Sequence, residues 1–426
     1  MRRVPSFPAR LAIVAAAGLA IRLVYALAFA PDPQALSDAR FFHLLANGIA
    51  DGRGFAQPYD FLFKGVVHPT AEHPPLYPLA LAAMSKLGGT TYDAHRVVSC
   101  LLGTGTVVAV GFLARRVAGD AIGILAAAIA AVDPLLWLAD GSLMSESLYG
   151  LVVVLSLLCA LRVLERPTAW RAVLLGAAAA LATLTRGEAL LLVPLLLLPV
   201  AWIAGGRDGL AGRARLAGVC VAAFAVVLVP WTVRNWTAFD QPVLVSNNTG
   251  TLLAGANCRY TYSGELLGSW WVRCVHYPPQ RNEAKLGSYL RRRGLDYARG
   301  RTRRFLYVGV IRVLRTWELF RPGQQIRFAS EEGRRPGAER AGVAMYYLML
   351  PFAIAGVVLL RRRRDLLLVL LAPAAMVTIM SFLGYGTTRF RLAAEPSIVV
   401  LASTGLAALA ARARARAAER TAAAAG

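Results

Sequence analysis

The chain is poor in lysine, acids, cysteine and histidine. Among 47 basic residues in 426 the only lysines are Lys64, Lys86 and Lys285, and the Arg excess carries no functional reading by itself. Acids number 24, leaving a formal charge of +23. Charged residues amount to 17% against 57% hydrophobic, which excludes a disordered chain and argues against a soluble nucleic-acid binder. Two of the five cysteines, Cys258 and Cys274, share a polar segment in which His276 alone does not complete a tetrahedral metal set. No P-loop, Gly-rich dinucleotide fingerprint, HExxH or serine nucleophile elbow stands in a fitting context, which disfavours soluble-nucleotide chemistry. Tandem repeats, Gly/Ser linkers and paired broken helices are absent as well.

What the sequence does have is apolar length. Stretches near 11–30, 95–114, 118–139, 147–164, 170–186, 187–204, 214–232, 341–360, 365–383 and 396–411 each approach the ~20 residues that cross a bilayer. They predict an all-α polytopic membrane protein of about ten helices. Ala28 to Ala30 matches a signal-cleavage pattern, but the stretch before it is long for that purpose, so a retained anchor is expected. Cys100, Cys159 and Cys220 lie in these stretches and read as small packing residues.

Short-loop charge sets the expected orientation. With both termini cytoplasmic, the inner segments hold Arg2, Arg3, Arg10, Arg115, Arg116, Arg162, Arg166, Arg171, Arg207, Arg213, Arg215, Arg361 to Arg364, and Arg412 to Arg420. The short outer turns hold Arg186, Arg389 and Arg391. Two long segments, 31–94 and 235–340, then fall outside the cytoplasm. An oxidising compartment there lets Cys258 and Cys274 pair, and a disulfide is predicted. Residues 412–426 form an Arg/Ala-rich cytoplasmic tail.

The outer segments carry the candidate chemistry. Asp38 opens a helical pattern in which Phe41, Leu44, Leu45 and Ile49 share a face; either it or Ser37 caps that helix, or its carboxylate is free to take a proton. Pro74, Pro75 and Pro78 stiffen the chain before an apolar run too short to span, presenting Glu72 and His73 at the membrane surface. Asp140, Glu146, Arg186 with Glu188, Arg389, Arg391 and Glu395 lie at outer turns and are expected on the same face as Asp38. Such a set suits departure of a phosphate: a carboxylate takes the proton of an attacking hydroxyl while cations stabilise the leaving charge. Between Ser288 and Phe320, Arg alternates with apolar residues as in a basic amphipathic helix, or pair of helices, lying in the interface.

These motifs, in order, are SDARFFHLLANGIADGRGF, EHPPLYPLALAAMSKLGG, the SES turn, LATLTRGEALLLVPLLL, PWTVRNW and TTRFRLAAEP. Together they make residues 1–411 resemble the GT-C membrane glycosyltransferases that use polyprenyl-phosphate sugars. The resemblance is to the branch containing protein O-mannosyltransferases and lipid A aminoarabinose transferases. It implies a GT-C-like bundle with interfacial helices, Asp38 as base, and phosphate contacts from His73, Arg186, Arg40 and Arg389. Glu146 falls at a position with a supporting acid. His73 stands where many relatives carry Lys or Arg, so phosphate affinity is expected to depend on pH. Ala39 replaces the second acid of the protein-mannosyltransferase pattern, against that particular activity.

The expected function is therefore inverting sugar transfer from a polyprenyl-phosphate donor to a hydroxyl-bearing glycan, lipid or protein acceptor at the outer face of the plasma membrane. It requires no cofactor, a divalent metal is possible but not indicated, and nucleic acid is not a partner. The alternative is a transporter or flippase of lipid-linked sugars, disfavoured because the spans are mostly Ala, Leu and Val.

Overall fold

The computed structural model describes residues 5–34, 36–276 and 282–425; Arg2, Arg3 and the side chain of Arg207, counted above among the inner charges, lie outside what is described. Helices make up the fold, and among the described residues the sole β-type pairing is a bridge between Ala56 and Pro69.

The first helix, α1 (Phe7–Val24), continues through a π-helical turn at Tyr25–Phe29. The first long loop folds as α2 (Asp38–Ala50), α3 (Pro58–Lys64) and α4 (Leu76–Lys86). The Ser37 hydroxyl accepts from the Arg40 amide at 3.3 Å, so Ser37 caps α2 and leaves the Asp38 carboxylate for other partners. Helix α4 begins only after Pro74 and Pro75 and has 11 residues, too short to cross.

Next come α5 (Tyr92–Ala118), α6 (Asp120–Val132) and α7 (Pro134–Gly141). The last two bend by 48° where Asp133 caps Leu135 and Pro134 lacks an amide hydrogen, so the expected 118–139 span is broken. After α8 (Glu146–Glu165) and α9 (Ala169–Thr185), Arg186 adopts extended backbone and separates α9 from the irregular Gly187–Ala204 span. That span ends in α10 (Leu198–Ala204) and is followed by α11 (Gly209–Phe239). The second long loop contains α12 (Thr249–Ala256), α13 (Glu283–Arg299), α14 (Thr302–Thr316) and α15 (Pro322–Glu331). The chain closes with α16 (Pro336–Leu360), α17 (Arg364–Leu383), the single turn α18 (Thr388–Arg391) and α19 (Glu395–Ala425), which runs on through the basic tail.

All ten expected stretches are helical. Among the described residues eight are long and apolar enough to span, and the bent pair makes a ninth. Helix α9, at 17 residues, is about 25 Å long and falls just short. This is a multi-pass membrane protein. Close helix approach depends on missing side chains: a Cβ on Gly356 of α16 would stand 2.1 Å from the Leu401 carbonyl of α19.

Two tertiary features fix the layer formed by the two long loops. Arg234, in the PWTVRNW motif of α11, donates to the carbonyls of Thr70 and Phe55, both at 2.8 Å. Glu283 at the start of α13 accepts from the Thr70 hydroxyl at 2.6 Å, the Ala71 amide at 2.8 Å and the Asn247 side chain at 2.9 Å. The segment leading to His73 is thus held from both α11 and α13. Cys258 and Cys274 are disulfide-bonded.

The Ser288–Phe320 stretch is a pair of amphipathic helices, α13 and α14, but its basic residues divide. Arg291, Arg292, Arg293 and Arg303 are exposed, whereas Arg312 and Arg315 are buried and donate to loop carbonyls, Arg315 Nε to Leu267 O at 2.6 Å among them. Those two brace the loop from inside.

Candidate active site

Helix α2 presents Asp38 from its first turn, α8 presents Glu146 from its own, and α18 carries Arg389 between them. Both Nη atoms of Arg389 lie 3.3 Å from Asp38 Oδ2, its Nε donates to Glu146 Oε1 at 2.8 Å, and Nη1 also meets Glu332 Oε1 at 3.1 Å. Arg186 Nη1 reaches the same Glu146 oxygen at 2.9 Å, while its Nε donates to Glu188. His73 Nε2 is 3.8 Å from Asp38 Oδ1, beyond hydrogen-bond range, and its ring sits between Phe41 and Phe42 at centroid distances of 5.0 and 4.7 Å.

The turn that delivers Glu146 is unusual. Leu143, fully buried, has φ of 54°, a conformation rare for a branched apolar residue; it reverses the chain between α7 and α8 so that Glu146 begins a helix at the site. Glu146 is 1% exposed and Asp38 is 39% exposed, so the cluster grades from a buried anchor to an accessible carboxylate.

Charge arrangement sets protonation. Burial opposes ionisation of Asp38, yet Arg389 and then His73 outweigh it and hold the carboxyl below the ordinary range. Burial, helped by Arg186 and Arg389, holds the His73 imidazole below its ordinary range despite Asp38. Burial works against the Arg186 and Arg389 cations, but Glu146 foremost, with Glu188 or Glu332, raises both above the ordinary arginine value. Glu72 is different: burial first, then Glu283, push it up to about 8, and its carboxyl accepts from Gln57 Nε2 at 3.0 Å.

Five sequence candidates therefore meet: Asp38, His73, Glu146, Arg186 and Arg389. Arg40 lies two residues past Asp38, half-buried, and among the described residues its guanidinium has no acidic partner. Glu72 flanks the set and, among the described residues, forms no ion pair. Asp140 leaves it: its carboxylate meets Arg22 Nε of α1 at 2.9 Å with both side chains fully buried, in space that a Cβ on Gly103 would fill at 2.1 Å. Arg391 and Glu395 pair with each other at 2.9 Å, with the Tyr346 ring 3.7 Å from Arg391. These three were expected beside Asp38 because sequence position reports depth along the bundle but not which neighbour a side chain finds. Glu332 was not anticipated; it lies in a polar stretch with no distinguishing pattern. Among the described residues no three His, Cys, Asp or Glu side chains gather closely enough to hold a metal ion together.

Residues 72–233, less than half of the chain, match the family described as dolichyl-phosphate-mannose-protein mannosyltransferase. In three dimensions the chain resembles the oligosaccharyltransferase of Archaeoglobus fulgidus. The form in complex with Zn and sulfate gives a TM-score of 0.57 and 16% identity over 96% of this chain and 50% of that one. The apo form gives 0.55 and 14% over 98% and 52%. This chain has the GT-C fold.

ArnT from Cupriavidus metallidurans bound to undecaprenyl phosphate is also similar, with a TM-score of 0.44 and 17% identity over 93% of this chain and 78% of that one. No curated protein matches the sequence. The chain spans about half the length of the archaeal oligosaccharyltransferase. The family match takes in His73, Glu146 and Arg186 of this GT-C chain; Asp38 and Arg389 lie outside it and reach the site through α2 and α18.

Proposed function

We propose that this GT-C protein transfers a sugar from a polyprenyl-phosphate donor to a hydroxyl-bearing acceptor at the extracytoplasmic face of the membrane, with inversion at the sugar C1. The observation that carries this reading is an accessible carboxylate, Asp38, kept ionised by a buried Arg–Glu frame, with the His73 imidazole beside it. The acceptor oxygen attacks C1 opposite the phosphate while its proton passes to Asp38. The C1–O bond breaks, and its electron pair leaves with the phosphate.

Two arginines face four carboxylates at this site, so the phosphate enters against competition. Arg40, with no acidic partner among the described residues, and His73, with donor capacity uncommitted, are its first contacts. Arg186 and Arg389 stabilise the growing charge once an acid yields. Glu146 holds the two guanidinium groups in place. The outer-face assignment rests on the basic inner loops and on the disulfide in the second long loop. The reaction as written needs no cofactor.

The test is transfer from radiolabelled polyprenyl-phosphate sugars by the purified chain. Asp38→Asn is expected to reduce turnover by about 10²–10⁴. Full activity in a normally folded Asp38→Asn variant would remove Asp38 as the base.

A further inference from the structure

At the end of the bundle opposite Asp38 lies a groove of about 710 Å³ between α5 and α8, within the roughly 300–1,000 Å³ usual for ligand sites. Gly105, Ala109 and Phe112 form one wall at helical spacing, and Leu151, Leu155 and Leu158 form the other. Phe112 and Leu155 remain 39% and 40% exposed, and among the described residues no segment covers them. Both helices run away from the active site, and the groove ends on Arg115, Arg116 and Arg162. Arg162 is 16 residues beyond Glu146 on the same helix, about 24 Å along its axis. This groove and the sugar-transfer site are separate.

The charge at its mouth is unbalanced. Arg115 pairs with Asp120 and Arg116 pairs with Glu165, the latter joining the ends of α5 and α8. Arg162 has no acidic partner among the described residues, so three cations line the mouth against two acids. An apolar slot about 15 Å long from Gly105 to Arg115, opening sideways at membrane depth and ending in excess guanidinium, has the two halves of a lipid's chemistry in the order a lipid presents them.

We infer that this groove is a binding site for an anionic phospholipid of the leaflet opposite the active site, one acyl chain lying against Gly105 and Leu155 and the phosphate meeting Arg162 and its neighbours. The basic loops at this end identify that leaflet as the cytoplasmic one. The bound lipid ties α5 to α8, the two helices whose other ends carry the first-loop contacts and Glu146. The inference is independent of which sugar, if any, the outer site transfers.

Native mass spectrometry of the full-length protein in detergent tests it, with phosphatidylglycerol and phosphatidylcholine of identical chains as probes. Retention of phosphatidylglycerol should exceed that of phosphatidylcholine by at least about fivefold, as ~1 kcal/mol of charge contact requires. Arg115→Gln with Arg162→Gln should abolish the preference. Leu155→Trp, at an exposed position that fills the slot without disturbing packing, should reduce retention of both lipids. Equal retention of the two lipids by the native chain overturns the inference. So does a preference that survives the double Arg variant, equal retention of soluble glycerol phosphate, or a lipid-free dimer that Leu155→Trp dissociates.

Discussion

Arg389 holds Asp38 through both of its terminal nitrogens, each 3.3 Å from the same carboxylate oxygen, across 351 residues of chain. Its third nitrogen is committed to buried Glu146. A planar fork is needed to serve both carboxylates at once, and lysine has none. Arg389→Lys is therefore expected to reduce kcat by about 10²–10³, the loss typical of removing one preorganised donor, with a smaller change in KM. Steady-state transfer kinetics check this; an unchanged kcat would mean that the orientation of Asp38 does not limit turnover.

Glu332 is the most exposed acid on Arg389 apart from Asp38, at 34%, and it occupies Nη1. A donor phosphate that uses this nitrogen must displace it. Glu332→Gln should lower KM for the donor by up to about fivefold, the equivalent of the ~1 kcal/mol that a partly exposed pair supplies, and leave kcat nearly unchanged. A rise in KM would show instead that Glu332 helps to hold Arg389 for the donor.

The spans were legible because an apolar stretch of bilayer length has few alternatives to a helix, and the capped start of α2 and the proline-delayed start of α4 follow from local chemistry. Partnering was less legible. Arg22 interrupts the first span, and Asp140 looked like a charge of the outer turn; the two neutralise each other across 118 residues, and α6 carbonyls take the remaining Arg22 donors. Likewise the spacing of Arg312 and Arg315 described an amphipathic face without revealing that the Ala256 carbonyl at the end of α12 and the Leu267 carbonyl in the disulfide-bearing loop would receive them. Within the site, Asp38, His73, Glu146, Arg186 and Arg389 could be nominated because polar residues at outer helix ends are few. Glu332 could not, because it is one of two adjacent acids at the end of α15 with no distinguishing pattern.

Glu72 predicts a dependence of stability on pH. Its carboxyl is pushed up to about 8 in the folded chain by burial and Glu283, against a reference value of 4.5. Between these values the folded chain keeps a proton that the unfolded chain has released, so stability falls as pH rises through this window and levels off above it. Glu72→Gln, which preserves an acceptor for Gln57, removes that loss and should be more stable than the native chain by about 2–4 kcal/mol at pH 8.5, with little difference at pH 4. Melting curves at the two pH values check this, and parallel curves for both proteins would mean that Glu72 is ionised in the fold.

The disulfide tests both stability and sidedness. Cys258 and Cys274 close a loop with a sequence separation of 16, for which the lost freedom of the unfolded chain corresponds to about 3 kcal/mol. Within the loop the Leu267 carbonyl accepts from buried Arg315 and the Tyr262 carbonyl accepts from Arg304. Cys258→Ser with Cys274→Ser should therefore lower the melting temperature and expose the loop to protease before the transmembrane helices loosen. In cells the pair forms where the compartment is oxidising, whereas Cys100, Cys159 and Cys220 remain free thiols. Maleimide labelling of unfolded membranes, with and without prior reduction, should show two thiols released by reductant. If all five label without it, the second long loop faces the reducing side, and the proposed orientation, with the active site extracytoplasmic, is reversed.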